Sequence, residues 1–174
     1  MGAGRRLFLA LWPTDEFRAQ IQASTLAIAR ASGGRLIPPQ NYHVTLLFLG
    51  EVPAESVGAI QEASARLAGS PAFELRFDCI EAWGRKLLCL TSSTPPAAAS
   101  DLAAGLRSSL SSYVQRPEAH EFRPHITLAR DLARGRRSEK IDVLCQKVAD
   151  FALVESVRDA SGSQYSLLAR WPLS

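Results

Sequence analysis

The chain has 174 residues, enough to bury one core of ordinary size. Hydrophobic residues make up 47% and charged residues 21%, and no apolar run approaches the roughly 20 residues of a bilayer span, which argues against a disordered chain and a helical membrane protein. The formal charge of +3 is too small to make the whole surface a polyanion binder, although Arg130, Arg134, Arg136, Arg137 and Lys140 concentrate charge in one stretch, where a solvated loop is the competing reading.

Residues 5–11 alternate well enough for a first strand. The arginines ahead of that stretch do not make it a signal peptide, because the apolar run is too short and ends in Pro13-Thr14-Asp15-Glu16. Arg6 stands where a myristoylation signal needs Ser or Thr. Thr14 and the two acidic residues after it open a helix to about residue 31, with Phe17, Ile21, Leu26 and Ile28 near a 3.6-residue period and Gly33-Gly34 as its stop. Residues 36–39 read as an extended approach to a strand over 42–49 bounded by Gly50, and Pro53-Ala54-Glu55 starts a second helix to about residue 67. Strands over 73–80 and 86–90 form a hairpin around Gly84. Cys79 and Cys89 are equidistant from that glycine and so are expected as cross-strand neighbours. The three cysteines show no C-x-x-C spacing and are expected as free thiols in the cytoplasm. Ser92-Ser93-Thr94-Pro95-Pro96 reads as a linker between two lobes, and an Ala-rich helix follows over 97–113. Phe122-Arg123-Pro124 introduces another strand, followed by a helix over 138–148 and closing strands over 151–158 and 165–171.

The most informative feature is a repeated tetrapeptide, His43-Val44-Thr45-Leu46 and, 82 positions further on, His125-Ile126-Thr127-Leu128. In a strand, residues two apart project from one face, roughly 7 Å apart, so each motif presents an imidazole beside a hydroxyl. Two imidazoles across a cleft supply a general acid and a general base near neutral pH. Thr45 and Thr127 can donate to phosphate oxygens, and Arg130, five positions after His125, carries a guanidinium fork suited to the same anion. A single His-x-Thr is commonplace in strands, but the chain has three histidines and two of them stand in matched tetrapeptides. His120 matches no such pattern and is expected in a loop. No His-x-His, carboxylate cluster or Gly-x-Ser-x-Gly elbow accompanies the motifs, so neither a metal nor a serine nucleophile is expected. The ends also match: residues 7–13 and 167–172 both close on Trp-Pro, at Trp12-Pro13 and Trp171-Pro172. This reads as a duplicated α+β unit, with the two Trp-Pro strands in corresponding positions and an approximate two-fold bringing the histidine strands together.

At these residues the chain resembles the 2H phosphoesterases, specifically the prokaryotic RNA 2′,3′-cyclic phosphodiesterases historically called 2′-5′ RNA ligases. The likeness spans Arg6-Leu7-Phe8-Leu9-Ala10, residues 41–52 and 123–130, and the closing Glu155-Ser156, Gly162, Tyr165 and Trp171-Pro172-Leu173. The resemblance implies an α+β fold of two antiparallel-type sheets flanking a central cleft, with helices outside, in a single domain of two pseudo-symmetric lobes. It implies that His43 gives a proton to the leaving oxygen, that His125 activates water, and that Thr45, Thr127 and Arg130 hold the phosphate. The implied reaction opens a 2′,3′-cyclic phosphate on RNA or a nucleotide to a 2′-phosphomonoester without metal or cofactor, with 2′-5′ ligation as its reverse in some members. A monomer with no membrane partner is expected.

Strand parity places Leu47 beside His43 and Thr45, where relatives often carry a basic or small residue, and sends Tyr42 and Phe48 to the core. Arg123 is within reach of a substrate but is expected as a solvated loop arginine. Two other functions compete: a phosphodiesterase for another small cyclic or 2′-5′ linked nucleotide, and a noncatalytic module that binds RNA ends through the cleft and the Arg130–Lys140 charge.

Overall fold

Thr14 starts the first helix, because its hydroxyl accepts the Phe17 amide at 3.2 Å while Asp15 and Glu16 stand in the first turn at the helix N-terminus. The computed structural model describes residues 4–115, 121–135, 137–159 and 162–174, so His120 and Arg136 lie outside the described residues. Strand β1 spans Gly4–Leu11 and helix α1 spans Asp15–Ala31, which buries Phe17, Ile21, Thr25 and Ala29 at four-residue intervals. Gly33, at φ 66°, supplies the left-handed residue that ends it.

Gly34 is required for a different reason. A Cβ there would lie 2.7 Å from the Arg130 carbonyl and 2.9 Å from Leu132 Cδ2. The short strand β2 (Arg35–Leu36) can therefore reach its partners Arg130 and Ala129 only across a residue without a side chain. Gly34→Ala is expected to destabilise the protein by about 1–3 kcal/mol through overpacking, read as a lower urea midpoint at unchanged slope.

A 3-10 turn over Pro39–Asn41 precedes β3 (Val44–Pro53), and a second over Ala54–Ser56 precedes α2 (Val57–Ala65). The hairpin β4 (Phe73–Trp83) and β5 (Leu87–Thr91) leads to α3 (Ala97–Ser109), then β6 (His125–Arg130), β7 (Glu139–Val148), β8 (Asp150–Asp159) and β9 (Gly162–Pro172). Helix α3 buries Ala99, Leu102, Ala103 and Leu106, the stripe its Ala-rich sequence offers.

These strands make one antiparallel path, β7-β4-β5-β6-β3-β1-β8-β9, with β2 attached to β6. Helix α1 packs against β6 and β7, and α3 packs against β3. Leu7, Leu9, Leu11, Val44, Leu46 and Phe77 belong to the main core. A smaller apolar cluster of Phe8, Ala10, Ala152 and Val154, joined by Trp12 and Tyr165, occupies the other face of β1 and β8. The expected α+β class therefore holds, with two four-stranded sides meeting at β3 and β6 through a single pair, Val44 with Ile126.

Three expectations are corrected. Residues 138–148 form an edge strand rather than a helix. Gln146 and Val148 alternate buried positions against β4, and the charged Glu139, Lys140 and Lys147 stand exposed on the unpaired edge, where charge discourages further pairing. Trp12-Pro13 and Trp171-Pro172 end strands that both neighbour β8, so they do not occupy corresponding positions about the β3–β6 junction. Cys79 pairs with Thr91 and Cys89 with Glu81, because Trp83 opposite Leu87 centres the turn on Arg85; the two cysteines are diagonal neighbours, and all three cysteines are free.

Candidate active site

The two motifs meet at their second residues. Val44 pairs with Ile126 in antiparallel register, which brings His43 toward Thr127 and Thr45 toward His125. The site is thus assembled by one backbone pairing between strands 82 positions apart in the sequence.

The two imidazoles are held alike. His43 Nδ1–H donates to the Asn41 carbonyl at 2.7 Å, and His125 Nδ1–H donates to the Arg123 carbonyl at 2.8 Å. Each ring is tethered to the backbone two residues earlier, which fixes the tautomer and leaves Nε2 as the ring nitrogen for chemistry. On His43 that nitrogen lies 3.1 Å from the Thr45 hydroxyl.

Beyond each threonine the strand is irregular, and this decides which side chains join the site. Opposite β1, Ala10 pairs with Thr45, Leu9 with Leu47 and Phe8 with Phe48, so Leu46 is an extra residue. Opposite β5, Cys89 pairs with Thr127, Leu88 with Ala129 and Leu87 with Arg130, so Leu128 is the extra residue. Directly paired residues share a face. The matched bulges therefore send Leu47 and Ala129 into the core and return Phe48 and Arg130 to the face of the histidines and threonines. Simple alternation would have put Arg130 opposite His125. On that face its positive charge helps to lower the His43 pKa.

The same bulge corrects two expectations. Leu47 is buried beside Leu9, whereas Phe48 is 36% exposed, with the Arg6 guanidinium 4.6 Å from its ring centre. Tyr42 is buried, as expected. The basic cluster disperses: Arg130 joins the site, Lys140 pairs with Asp78 at 2.9 Å, and Arg134 and Arg137 are exposed.

The two imidazoles stand in different surroundings. Phe8, Trp12 and Tyr165 lie at 4.9, 5.8 and 5.3 Å from the His43 ring. Burial there, reinforced by the positive charges of His125, Arg130 and Arg18, lowers the His43 pKa to about 4 despite the opposing bond to Asn41. The free protein is thus expected to carry a neutral His43 at pH 7, read by an NMR titration of the ring. Because an unfolded histidine titrates near 6.5, the unfolded chain binds more protons between pH 4 and 6.5. This contribution to stability, at most about 3 kcal/mol, is complete above pH 6.5 and lost as pH falls toward 4. His43→Gln should flatten the denaturation midpoint across that window.

His125 stands in a polar frame instead. The Trp83 ring lies 4.5 Å from it, and Arg123 reaches over Trp83 at 5.1 Å while pairing with Glu81 at 3.0 Å. Arg123 is thus the solvated loop arginine expected, with its guanidinium also held by Glu81 and Trp83. Burial pushes the Glu81 carboxyl up, but hydrogen bonds from Trp83, Arg123 and Thr91 outweigh it and hold the group below its usual range. Cys89, hydrogen-bonded with Thr127, has its thiol pushed up to about 12 by burial and is no nucleophile at neutral pH. Among the described residues, no three His, Cys, Asp or Glu side chains are grouped to hold a metal ion, and no helix is long and apolar enough to cross a membrane.

Phe48, Glu81 and Trp83 escaped the reading of the sequence. The signal for Phe48 was present, since it occupies in the first motif the place Arg130 occupies in the second.

The sequence pattern of the 2′-5′ RNA ligase superfamily matches residues 13–159. The chain belongs to that superfamily. The RNA 2′,3′-cyclic phosphodiesterase of Escherichia coli K12 is 32% identical over 181 aligned residues, covering 100% of this chain and 99% of the relative. That of Thermus thermophilus is also 32% identical, covering 97% of this chain and 90% of the relative. Among solved structures, E. coli LigT complexed with 3′-AMP superposes with a TM-score of 0.89 at 31% identity, covering 98% of this chain and 99% of that one. The superfamily assignment thus rests on sequence and fold together.

Proposed function

We propose that this member of the superfamily opens terminal 2′,3′-cyclic phosphates on RNA or nucleotides to 2′-phosphomonoesters by paired-histidine catalysis, as the names of its relatives suggest. The observation that carries this reading is the Val44–Ile126 pairing, which sets two His–Thr pairs and Arg130 on one face. His125 Nε2 takes a proton from water as the water oxygen attacks phosphorus. The P–O3′ bond breaks, His43 gives a proton to O3′, and the phosphate stays on O2′. Thr45, Thr127 and Arg130 bind the nonbridging oxygens, where charge grows in the transition state. Burial is the largest cause of the His43 depression, and the bound anion offsets the cationic part that adds to it, which favours the protonated form that an acid needs. With an RNA 5′-hydroxyl in place of water as the attacking group, the same P–O3′ cleavage leaves the phosphate joining O2′ to O5′ and so forms a 2′-5′ linkage.

Phe48 and Arg6 extend this reading to the nucleoside. An exposed ring backed by a guanidinium on the phosphate-binding face suits a base, and stacking of this kind is worth about 1–3 kcal/mol. Phe48→Ala is expected to raise KM for a cyclic mononucleotide about tenfold with little change in kcat, as steady-state kinetics will show. The buried thiols of Cys79 and Cys89 fit a reducing, cytoplasmic setting. We read the two four-stranded sides of the sheet as pseudo-symmetric lobes of one domain.

The test is incubation in excess chelator with RNA bearing a 2′,3′-cyclic phosphate. Turnover supports the proposal. Salt-sensitive binding without product would instead identify a noncatalytic RNA-end-binding module, and selective turnover of a 2′-5′ linked dinucleotide would identify a different phosphodiesterase.

A further inference from the structure

Glu81 lies outside both motifs, on β4, yet three groups that frame His125 converge on its carboxylate. Glu81 pairs with Cys89 across the hairpin, and Cys89 pairs with Thr127, so all three share the face of the site. Glu81 Oε2 accepts the Trp83 indole N–H at 3.0 Å and the Arg123 guanidinium at 3.0 Å. Its Oε1 accepts the Thr91 hydroxyl at 3.1 Å. Each donor meets His125 differently. The Trp83 ring lies against the imidazole, the Arg123 carbonyl takes the Nδ1 proton, and Thr91 is the backbone partner of His125 on β5.

We propose that Glu81 is a positioning residue whose carboxylate clamps Trp83 and Arg123 against His125 and so aims the imidazole at the reacting phosphate. The inference rests on the role given to His125 above. The Nδ1 hydrogen bond by itself lets the ring swing about it, and proton transfer degrades when a catalytic group departs by more than about 10–20° from its productive orientation. An indole lying against the ring removes the swing, but only while its own N–H is held. Glu81 supplies that acceptor and at the same time engages the chain that carries the Arg123 carbonyl. The pairing with Glu81 also withholds Arg123 from the phosphate, leaving that task to Arg130.

The test uses Glu81→Gln, which keeps the shape of the side chain, and Trp83→Phe, which keeps a ring but removes the N–H. On a 2′,3′-cyclic mononucleotide, each is expected to lower kcat about tenfold with KM within about twofold of wild type. The double variant is expected to lose no more than the worse single one, since both changes break the same bond. Losses that multiply, or wild-type kcat in Glu81→Gln, would overturn the clamp. A second measurement needs no turnover: the nuclear Overhauser contact between the Trp83 and His125 rings should weaken in Glu81→Gln. If the wild-type protein does not hydrolyse cyclic phosphate, the proposed function fails by itself, and an unchanged ring contact in Glu81→Gln would overturn the clamp separately.

Discussion

His125→Ala is expected to lower kcat on a cyclic phosphate substrate by about 10²- to 10⁴-fold, and His43→Ala to do the same, with both proteins keeping the wild-type circular dichroism spectrum. The magnitude follows from removing one partner of a paired proton transfer. Without His125, water must lose its proton unaided; without His43, O3′ must leave as an alkoxide. The double variant is expected to be only slightly worse than either single one, because each lost partner already disables a concerted step. The fold is expected to tolerate both changes, since neither residue is fully buried. Residual activity within about threefold of wild type in either variant would remove that histidine from the chemistry.

The second large effect is expected at Arg130. Replacing it by alanine removes a fork that can place two charge-assisted hydrogen bonds on the phosphate, each worth about 1.5–3 kcal/mol, so kcat/KM should fall about 10²- to 10⁴-fold. Lysine should recover only part of the loss, because an ammonium supplies charge without the planar pair of donors. Arg130→Ala carries a signature that a purely structural change lacks. Arg130 is one of the cations that depress His43, so its removal should raise the His43 pKa from about 4. Loss of activity with an unmoved His43 titration would contradict the placement of this guanidinium beside the first imidazole.

Much of the site was legible in the sequence because its geometry is local. His43 and Thr45, or His125 and Thr127, share a face through strand alternation alone, and their repetition singled them out. The meeting of the two strands was also implied, since paired imidazoles require it. What alternation could not supply was the extra residue after each threonine. Leu46 and Leu128 shift the pairing by one, and a one-residue shift exchanges the faces of everything that follows. Arg130 is therefore marked by its chemistry rather than its parity, while alternation alone sends Phe48 to the core that Leu47 in fact occupies.

The misread helix over 138–148 has a related cause. Its apolar residues are sparse enough to fit either period, and only β4 alongside, with Gln146 and Val148 turned inward, decides for a strand. Glu81 was invisible for another reason. It meets Arg123 across 42 positions and gains its meaning only when the hairpin places it in line with Thr127. The Trp-Pro repeat shows the opposite hazard, because similar strand ends arose on both sides of β8 without marking equivalent places.

The measurement that tests the central claim most directly is hydrolysis of an RNA oligonucleotide ending in a 2′,3′-cyclic phosphate, in excess chelator and ¹⁸O-labelled water, with the 2′- and 3′-phosphate products resolved. The paired-histidine account predicts a 2′-phosphate carrying one labelled oxygen. A 3′-phosphate, or RNA recovered with its cyclic end intact, would contradict it.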